Sequence, residues 1–385
     1  MRSRVVAEDF YVEERIALPP SESGPFTLYR ILKRGITTLE VQARMARALR
    51  RPPSALTFPA LKDKQAVAVQ YATLRGDGPA QVEGPGFVAE RVGRTARPLT
   101  PSDLRGNHFV LVLRDLGDTE DQAVTAQIEA IGQEGLPNYF GQQRFGSQTA
   151  SGDFPGRRIL LRDAEGALRA HLTEPMAGDP PEVRAFKKVA ASHWGEWPLL
   201  LQAAPRPSNY RSVLTYLCDH PQDWRHALNL VTPRLLSLYL DAYQSLLWNR
   251  IAARYLEQLA GKASRTVRLA REAFPLFRDL SRHISAGASL PLPSHRAVYT
   301  DPLAAEAAAH VLHSASLQIG DLKARLLQRA YLSRGQRRLL LLPQEASVSP
   351  LSPDERFVGH FKLTIAFTLP PGAYATLVLQ ALHPG

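Results

Sequence analysis

Ala60-Leu61-Lys62-Asp63-Lys64-Gln65-Ala66-Val67-Ala68-Val69-Gln70 is the stretch on which the reading of this chain turns. One carboxylate stands between two lysines, and positive charge on both sides favours its ionised form. A carboxyl kept ionised suits a nucleophile or a charge stabiliser better than a proton donor. Beyond the acid, Ala66 to Val69 followed by Tyr71, Thr73 and Leu74 predicts a strand entered from a polar turn. Asp63 would then stand at a strand edge, where regular secondary structure can hold it in place. Three adjacent charges are also common in solvated surface turns, and on composition alone that plainer reading comes first.

The 385-residue chain is 44% hydrophobic and 22% charged, enough to bury a sizeable core and, at this length, to form two domains. A formal net charge of +11 and a pI near 9.9 make the surface attractive to a polyanion, either nucleic acid or an acidic membrane. No run approaches the roughly eighteen apolar residues of a membrane span. Met1-Arg2-Ser3-Arg4 leads into alternating sequence and not into an apolar signal region, so a cytoplasmic protein is expected. Cys218 is the only cysteine, which excludes an internal disulfide and a cysteine-rich metal cluster. The basic residues are biased to Arg, the better partner for phosphate and base edges.

Residues 4 to 17 set Val6, Phe10 and Val12 against Asp9, Tyr11 and Glu13, an imperfect alternation that predicts a strand with a charged outer face. A turn from Pro19 to Gly24 precedes a second strand, Phe26 to Leu32. Thr37-x-x-Glu40 matches a capping box, and Val41, Met45 and Leu49 mark the buried stripe of a helix ending before Pro52. Arg44, Arg47 and Arg51 lie on another stripe, with Lys33 and Arg34 just before it. Such a run is usually a solvated face; the functional alternative is a salt-sensitive grip on RNA phosphates. Residues 75 to 106 read as loops between short strands, Phe109 to Leu113 as a strand buried on both faces, and Ala123 to Ile131 as a helix closing at Gly132 and Gly135.

Out of that helix comes Asn138-Tyr139-Phe140-Gly141-Gln142-Gln143-Arg144-Phe145-Gly146. An amide, three aromatics and an arginine, with glycines that permit close backbone approach, can stack on an extruded base and bond its edge. An aromatic loop packed on its own core is the alternative. From about 150 to 335 long amphipathic helical patterns dominate, one carrying Leu236, Tyr239, Leu240, Tyr243, Leu247 and Ile251 on a single face. Pro180-Pro181, Pro205 to Pro207 and Leu290 to Pro293 break them, and strand-like sequence returns at Arg338 to Leu342 and Phe361 to Leu369. His310-x-x-His313 has no third ligand nearby for zinc, and no nucleophile elbow, Walker loop or dinucleotide glycine pattern is present. Nothing calls for a metal or another cofactor.

The first stretch resembles the signature of the TruD family of tRNA pseudouridine synthases, Gly-x-Lys-Asp-Arg/Lys-x-Ala-Val-x-x-Gln, whose aspartate is catalytic. The family's Asn-Tyr-Phe-Gly-x-Gln-Arg-Phe-Gly block stands at 138–146 without a mismatch. Asp9-Phe10 with Val12 and Glu13, Gly106-Asn107-x-Phe109, Arg337-Arg338, and Leu369-Pro370-x-Gly372-x-Tyr374-Ala375-Thr376 fall in the family's order, so the resemblance spans nearly the whole chain. It implies an α+β fold: a pseudouridine-synthase-like catalytic domain with a mixed or antiparallel sheet flanked by helices, and a mainly helical inserted domain across a basic cleft. The corresponding division is 1–152 and 334–385 for the catalytic domain and 153–333 for the insertion. The implied activity is cofactor-free isomerisation of uridine to pseudouridine, usually at position 13 of tRNA, with tRNA as partner, no membrane, no protein partner and a monomeric enzyme.

On the same resemblance Asp63 is the catalytic residue, Asn138 and Phe140 line the active site, and Phe10 either shapes that pocket or belongs to the core. Arg4 replaces a family lysine five residues before the Asp of the Asp-Phe pair; it keeps the charge that could hold Asp63 ionised, as could Lys62, but cannot give up a proton. Ala60 stands where the family has glycine and Ala68 where it often has threonine. If that glycine served a positive φ, Ala60 would strain the turn by about 1 kcal/mol. The alternative function is a tRNA-binding or folding protein with weak or no modification activity. A glycoside-type hydrolase would want a second carboxylate paired with Asp63, and the sequence offers none nearby.

Overall fold

The structure, a computed structural model, describes residues 1–62, 64 and 66–382; Asp63, Gln65 and 383–385 lie outside the described residues. The fold is α+β, and the chain divides into two compact units, one formed by 1–135 with 341–385 and the other by 136–340. The sequence places that boundary at 152 and 333. The aromatic block and the strand Gln336–Arg338 both fall inside the second unit.

An 11-stranded sheet organises the first unit. Its main path runs Gln344–Val348, Phe361–Leu369, Leu104–Leu116, Phe10–Ile16, Val67–Arg75, Phe26–Lys33, Phe87–Thr95, Gln81–Gly84. Phe10–Ile16 and Val67–Arg75 are parallel, and the other pairs on this path are antiparallel. A parallel pair needs a crossover, and the strand Phe26–Lys33 with the helix Thr38–Ala48 supplies it. The helix begins as its capping box predicts: Glu40 N donates to Thr37 Oγ1 at 3.2 Å and Thr37 N donates to Glu40 Oε2 at 2.7 Å. Val41 and Met45 are buried with Tyr29, Ile31, Leu74 and Phe87. The helices Glu120–Glu134 and Ala375–Leu382 pack on each other.

Several local expectations change. Residues 4–9 are not strand: Ala7–Asp9 is a 3-10 turn, and Asp9 is buried, not on a charged outer face. Lys33 also leaves the proposed basic patch, because it continues the inward row Thr27, Tyr29, Ile31 and donates from a buried Nζ to Ile36 O at 2.9 Å. Much of 75–106 is strand, since Phe87–Thr95 pairs along the whole of Phe26–Lys33. Residues 109–113 belong to the longer strand Leu104–Leu116 and alternate buried with half-buried positions, as an antiparallel strand with one core face does. The helix Glu120–Glu134 runs through Gly132 and closes only at Gly135, whose φ is +78°. Ala60 is not among the positive-φ residues, so the strain expected there is absent.

The second unit is mainly helical. Its axis is Pro233–Ala260, a 28-residue helix buried on several sides through its middle turns, so the apolar stripe of the sequence is only part of its buried surface. The helix Pro155–Leu160 crosses it where a Cβ on Gly156 would meet Tyr239 O at 2.1 Å, so only glycine permits that approach. The unit also holds a hairpin, Arg265–Leu269 with Glu272–Leu276, and a two-stranded antiparallel pair of segments distant in sequence, Ser289–Pro291 with Gln336–Arg338. His310 and His313 are exposed on the helix Pro302–Ser314. Among the described residues no helix is long and apolar enough to cross a membrane.

Candidate active site

In the first unit the turn at Asp9 positions two of the expected site residues. Asp9 Oδ2 accepts from Val5 N at 2.9 Å and Val6 N at 3.0 Å, and its carboxylate is gripped by Arg114 Nε at 2.9 and 3.0 Å. Arg114 Nη1 continues to Asp354 at 2.8 Å and Glu355 at 3.0 Å, so segments far apart in sequence are tied together. Burial would raise the pKa of Asp354, but the N–H groups of Arg356 and Asp115 and the guanidinium of Arg114 hold it below its ordinary value. This anchor keeps Arg4 at φ +59°, a left-handed conformation that costs a non-glycine residue roughly 1–2 kcal/mol. Such strain persists only where the surroundings enforce it. Here it lays the Arg4 guanidinium 3.9 Å over the centre of the Phe10 ring.

Arg4, Val5, Val6, Ala7, Phe10, Gly35 and Ala66 line a cavity of about 330 Å³, at the small end of ligand sites. Phe10 also packs edge-on against Phe109 with centroids 6.0 Å apart, so it is both core and pocket wall.

Asp63 itself lies outside the described residues, but its neighbour Lys62 is tied down at both ends. Lys62 N donates to Thr38 Oγ1 at 2.8 Å, while its Nζ pairs with Glu14 Oε1 at 3.1 Å and donates to Asn107 Oδ1. Glu14 and Asn107 are register partners on adjacent strands, so the ammonium caps a cross-strand pair. Glu14 occupies an inward position after Phe10 and Val12, and its Oε2 accepts from Tyr71 N at 2.8 Å. Burial raises the Glu14 pKa, with the Lys62 charge and the Tyr71 N–H acting against it.

In the second unit the 138–146 block is fastened from three sides. Asn138 N donates to Leu339 O at 2.8 Å, and Asn138 Nδ2 donates to Arg338 O at 3.0 Å. Arg337 donates from Nε to Asn138 O at 2.7 Å and from Nη2 to Asn138 Oδ1 at 2.9 Å and Tyr139 O at 3.1 Å. Asn249, from the long helix, clamps the backbone of Phe140, accepting from its N at 2.8 Å and donating to its O at 3.0 Å. The Phe140 ring carries the Arg337 guanidinium 4.0 Å from its centroid and meets Trp248 edge-on at 5.7 Å. Tyr139 is core: it is fully buried, and its hydroxyl donates to Pro275 O at 3.0 Å. Arg144 supports the loop through Ser245 Oγ at 3.1 Å and Asp241 at 3.3 Å, and Phe145 packs on Phe154.

The family model described as tRNA pseudouridine synthase D (TruD) matches residues 1–382. The chain belongs to the TruD family. A Geobacter sulfurreducens protein named tRNA pseudouridine synthase D is 31% identical over 98% of this chain and 93% of its own length. A Methanopyrus kandleri protein named as a probable tRNA pseudouridine synthase D is 30% identical over 93% of this chain and 86% of its own. A crystal structure assigned to TruD of Methanosarcina mazei superposes with a TM-score of 0.73, covering 99% of this chain and 93% of that one at 22% identity, which bears on the fold alone. Family membership makes the chain an RNA-modifying isomerase that converts uridine to pseudouridine in tRNA.

Within the TruD frame, Arg4 and Phe10 come together in the first unit, Asn138 and Phe140 in the second, and Lys62 is engaged by Glu14 and Asn107. Residues the sequence did not single out for these roles are Glu14, Arg114, Asn249 and Arg337. Glu14 and Asn249 leave a signal: a carboxylate on the inward row of a strand, and an amide within a buried helix. The partnership of Arg114 with Asp9 leaves none, since the pair is 105 residues apart.

Proposed function

We propose that this TruD enzyme acts at the uridine at position 13 of tRNA, with Asp63 as its catalytic carboxylate. The N1–C1′ bond breaks, the uracil turns while bound, and C5 joins C1′; the C5 proton is released and N1 gains one, so substrate and product are isomers and no oxidant or energy source is consumed. An ionised carboxylate serves either by adding covalently to sugar or base or by taking a proton from the ribose. The uridine must leave its stack, and Phe140 is the stacking partner for the freed base. Asn138 supplies the amide for its edge, Arg4 the cation that keeps Asp63 ionised, Phe10 a wall of the pocket, and Lys62 the fixed approach of the chain to Asp63.

In this reading 1–152 with 334–385 carry the chemistry, 153–333 bind structured RNA, and the enzyme is a cytoplasmic monomer. The observation that carries it is the unbroken block Asn138–Gly146 in a chain matched to the TruD model over 1–382. The test is to incubate the protein with unmodified tRNA transcripts and map pseudouridine at nucleotide resolution. Product at position 13 is expected; product confined to other positions would refute the site assignment, and binding without product would favour an RNA-binding role.

A further inference from the structure

Arg337 is the residue of the aromatic block's surroundings whose contacts say most about selectivity. Its planar fork holds Asn138 O, Asn138 Oδ1 and Tyr139 O at 2.7, 2.9 and 3.1 Å, while the other end of the same carboxamide donates to Arg338 O at 3.0 Å. Arg337 is itself placed by register, opposite Leu290 in the antiparallel pair Ser289–Pro291 with Gln336–Arg338. Its guanidinium also covers the Phe140 ring at 4.0 Å. One side chain therefore fixes both groups proposed to meet the base.

The chemical consequence lies in the orientation of the amide. Turned over, Asn138 would set its NH2 against the N–H groups of Arg337 and its oxygen against the carbonyl of Arg338, two clashes of like with like. The carboxamide is thus locked with one face of Oδ1 and one N–H of Nδ2 left over. An acceptor beside a donor matches the N3–H and carbonyl of uracil. Cytosine presents an acceptor N3 beside a donor amine and would need the amide reversed. We infer that Arg337 is a positioning residue that makes Asn138 selective for uracil over cytosine, an inference that rests on the proposed role of Asn138. Lysine could not replace it, because a point charge lacks the fork that binds a backbone oxygen and an amide oxygen together.

The test compares binding of two tRNA transcripts, one with uridine and one with cytidine at the target position, to the wild-type enzyme, Arg337→Lys and Asn138→Asp. Asn138→Asp keeps an acceptor for Arg337 but removes the donor, so it serves even if Arg337→Lys folds poorly. Both variants are expected to lose the preference for uridine by about tenfold or more, the size of effect an unpaired polar group produces at a selective site. Arg337→Lys should also slow single-turnover modification while weakening affinity for the cytidine transcript little. Unchanged preference in either variant overturns the inference. Equal loss of affinity for both transcripts, with a shallower salt dependence, would make Arg337 a phosphate contact and also overturns it. Failure of the wild-type enzyme to modify any transcript would instead count against the function proposed above.

Discussion

Replacing Lys62 by methionine strips the buried carboxylate of Glu14 of its ion-pair partner while keeping the volume and apolar stem of the side chain. The side chains are 8% and 0% exposed, so water does not take over the role of the ammonium. Glu14 already has a raised pKa through burial, and without Lys62 it protonates on folding. Holding a carboxyl neutral at pH 7 against an unfolded pKa of about 4.3 costs roughly 3 to 4 kcal/mol, which is the ceiling for this term. The sign follows: the folded pKa lies above the unfolded one, so the penalty grows as pH rises above about 4.3 and shrinks by about 1.4 kcal/mol for each unit of acidification. All four tryptophans, 194, 197, 224 and 248, lie in the other unit, so fluorescence does not report on this one. The suitable probe is hydrogen exchange at the Tyr71 amide, which donates to Glu14. Protection there should fall at pH 7 by up to the ceiling, recover toward pH 5, and be largely restored by adding Glu14→Gln. A loss below about 1 kcal/mol, or one independent of pH, would refute the reasoning.

Asn249→Ala leaves both backbone groups of Phe140 buried without the side chain that satisfies them, and should destabilise the helical unit by about 2 kcal/mol or more in urea unfolding followed by tryptophan fluorescence. Asp9→Asn weakens the grip of Arg114 and the tie to Val5 and Val6; a loss of about 2 kcal/mol is expected, read as faster exchange of those two amides, and unchanged exchange would count against Asp9 as the anchor of Arg4. His171, buried against Tyr239 and Tyr210 and near Lys187, has its pKa lowered by burial and by the Lys187 charge to about 3. Since the unfolded imidazole titrates near 6.5, unfolding takes up a proton below that pH, and stability should fall by about 1.4 kcal/mol per unit on acidification from 6.5. His171→Gln should remove that part of the slope; an identical slope in both proteins would contradict it.

How much of this was legible in the sequence depends on how local the controlling interaction is. The capping box at Thr37 and Glu40 acts over three residues and could be read directly. The alternation of Phe361–Leu369 likewise buries Leu363, Ile365, Phe367 and Leu369 as its period demands. Lys33 was legible in principle, since it shares a face with Tyr29 and Ile31, but its charge argues for solvent until its bond to Ile36 O is seen. Burial of Asp9 is not legible locally because its partner Arg114 comes from a distant segment, as does Asp354, which the same guanidinium binds. The 138–146 block declared its importance through composition, yet what orients it, Asn249 and Arg337, lies about 100 and 200 residues away.

The central claim, that Asp63 carries the isomerisation, is tested most directly by single-turnover mapping of pseudouridine in an unmodified tRNA transcript with the wild-type enzyme and with Asp63→Asn, alongside the affinity of each for the same transcript. The wild type should yield pseudouridine and Asp63→Asn none, at closely similar affinities. Product formation by Asp63→Asn at the wild-type rate would contradict the account.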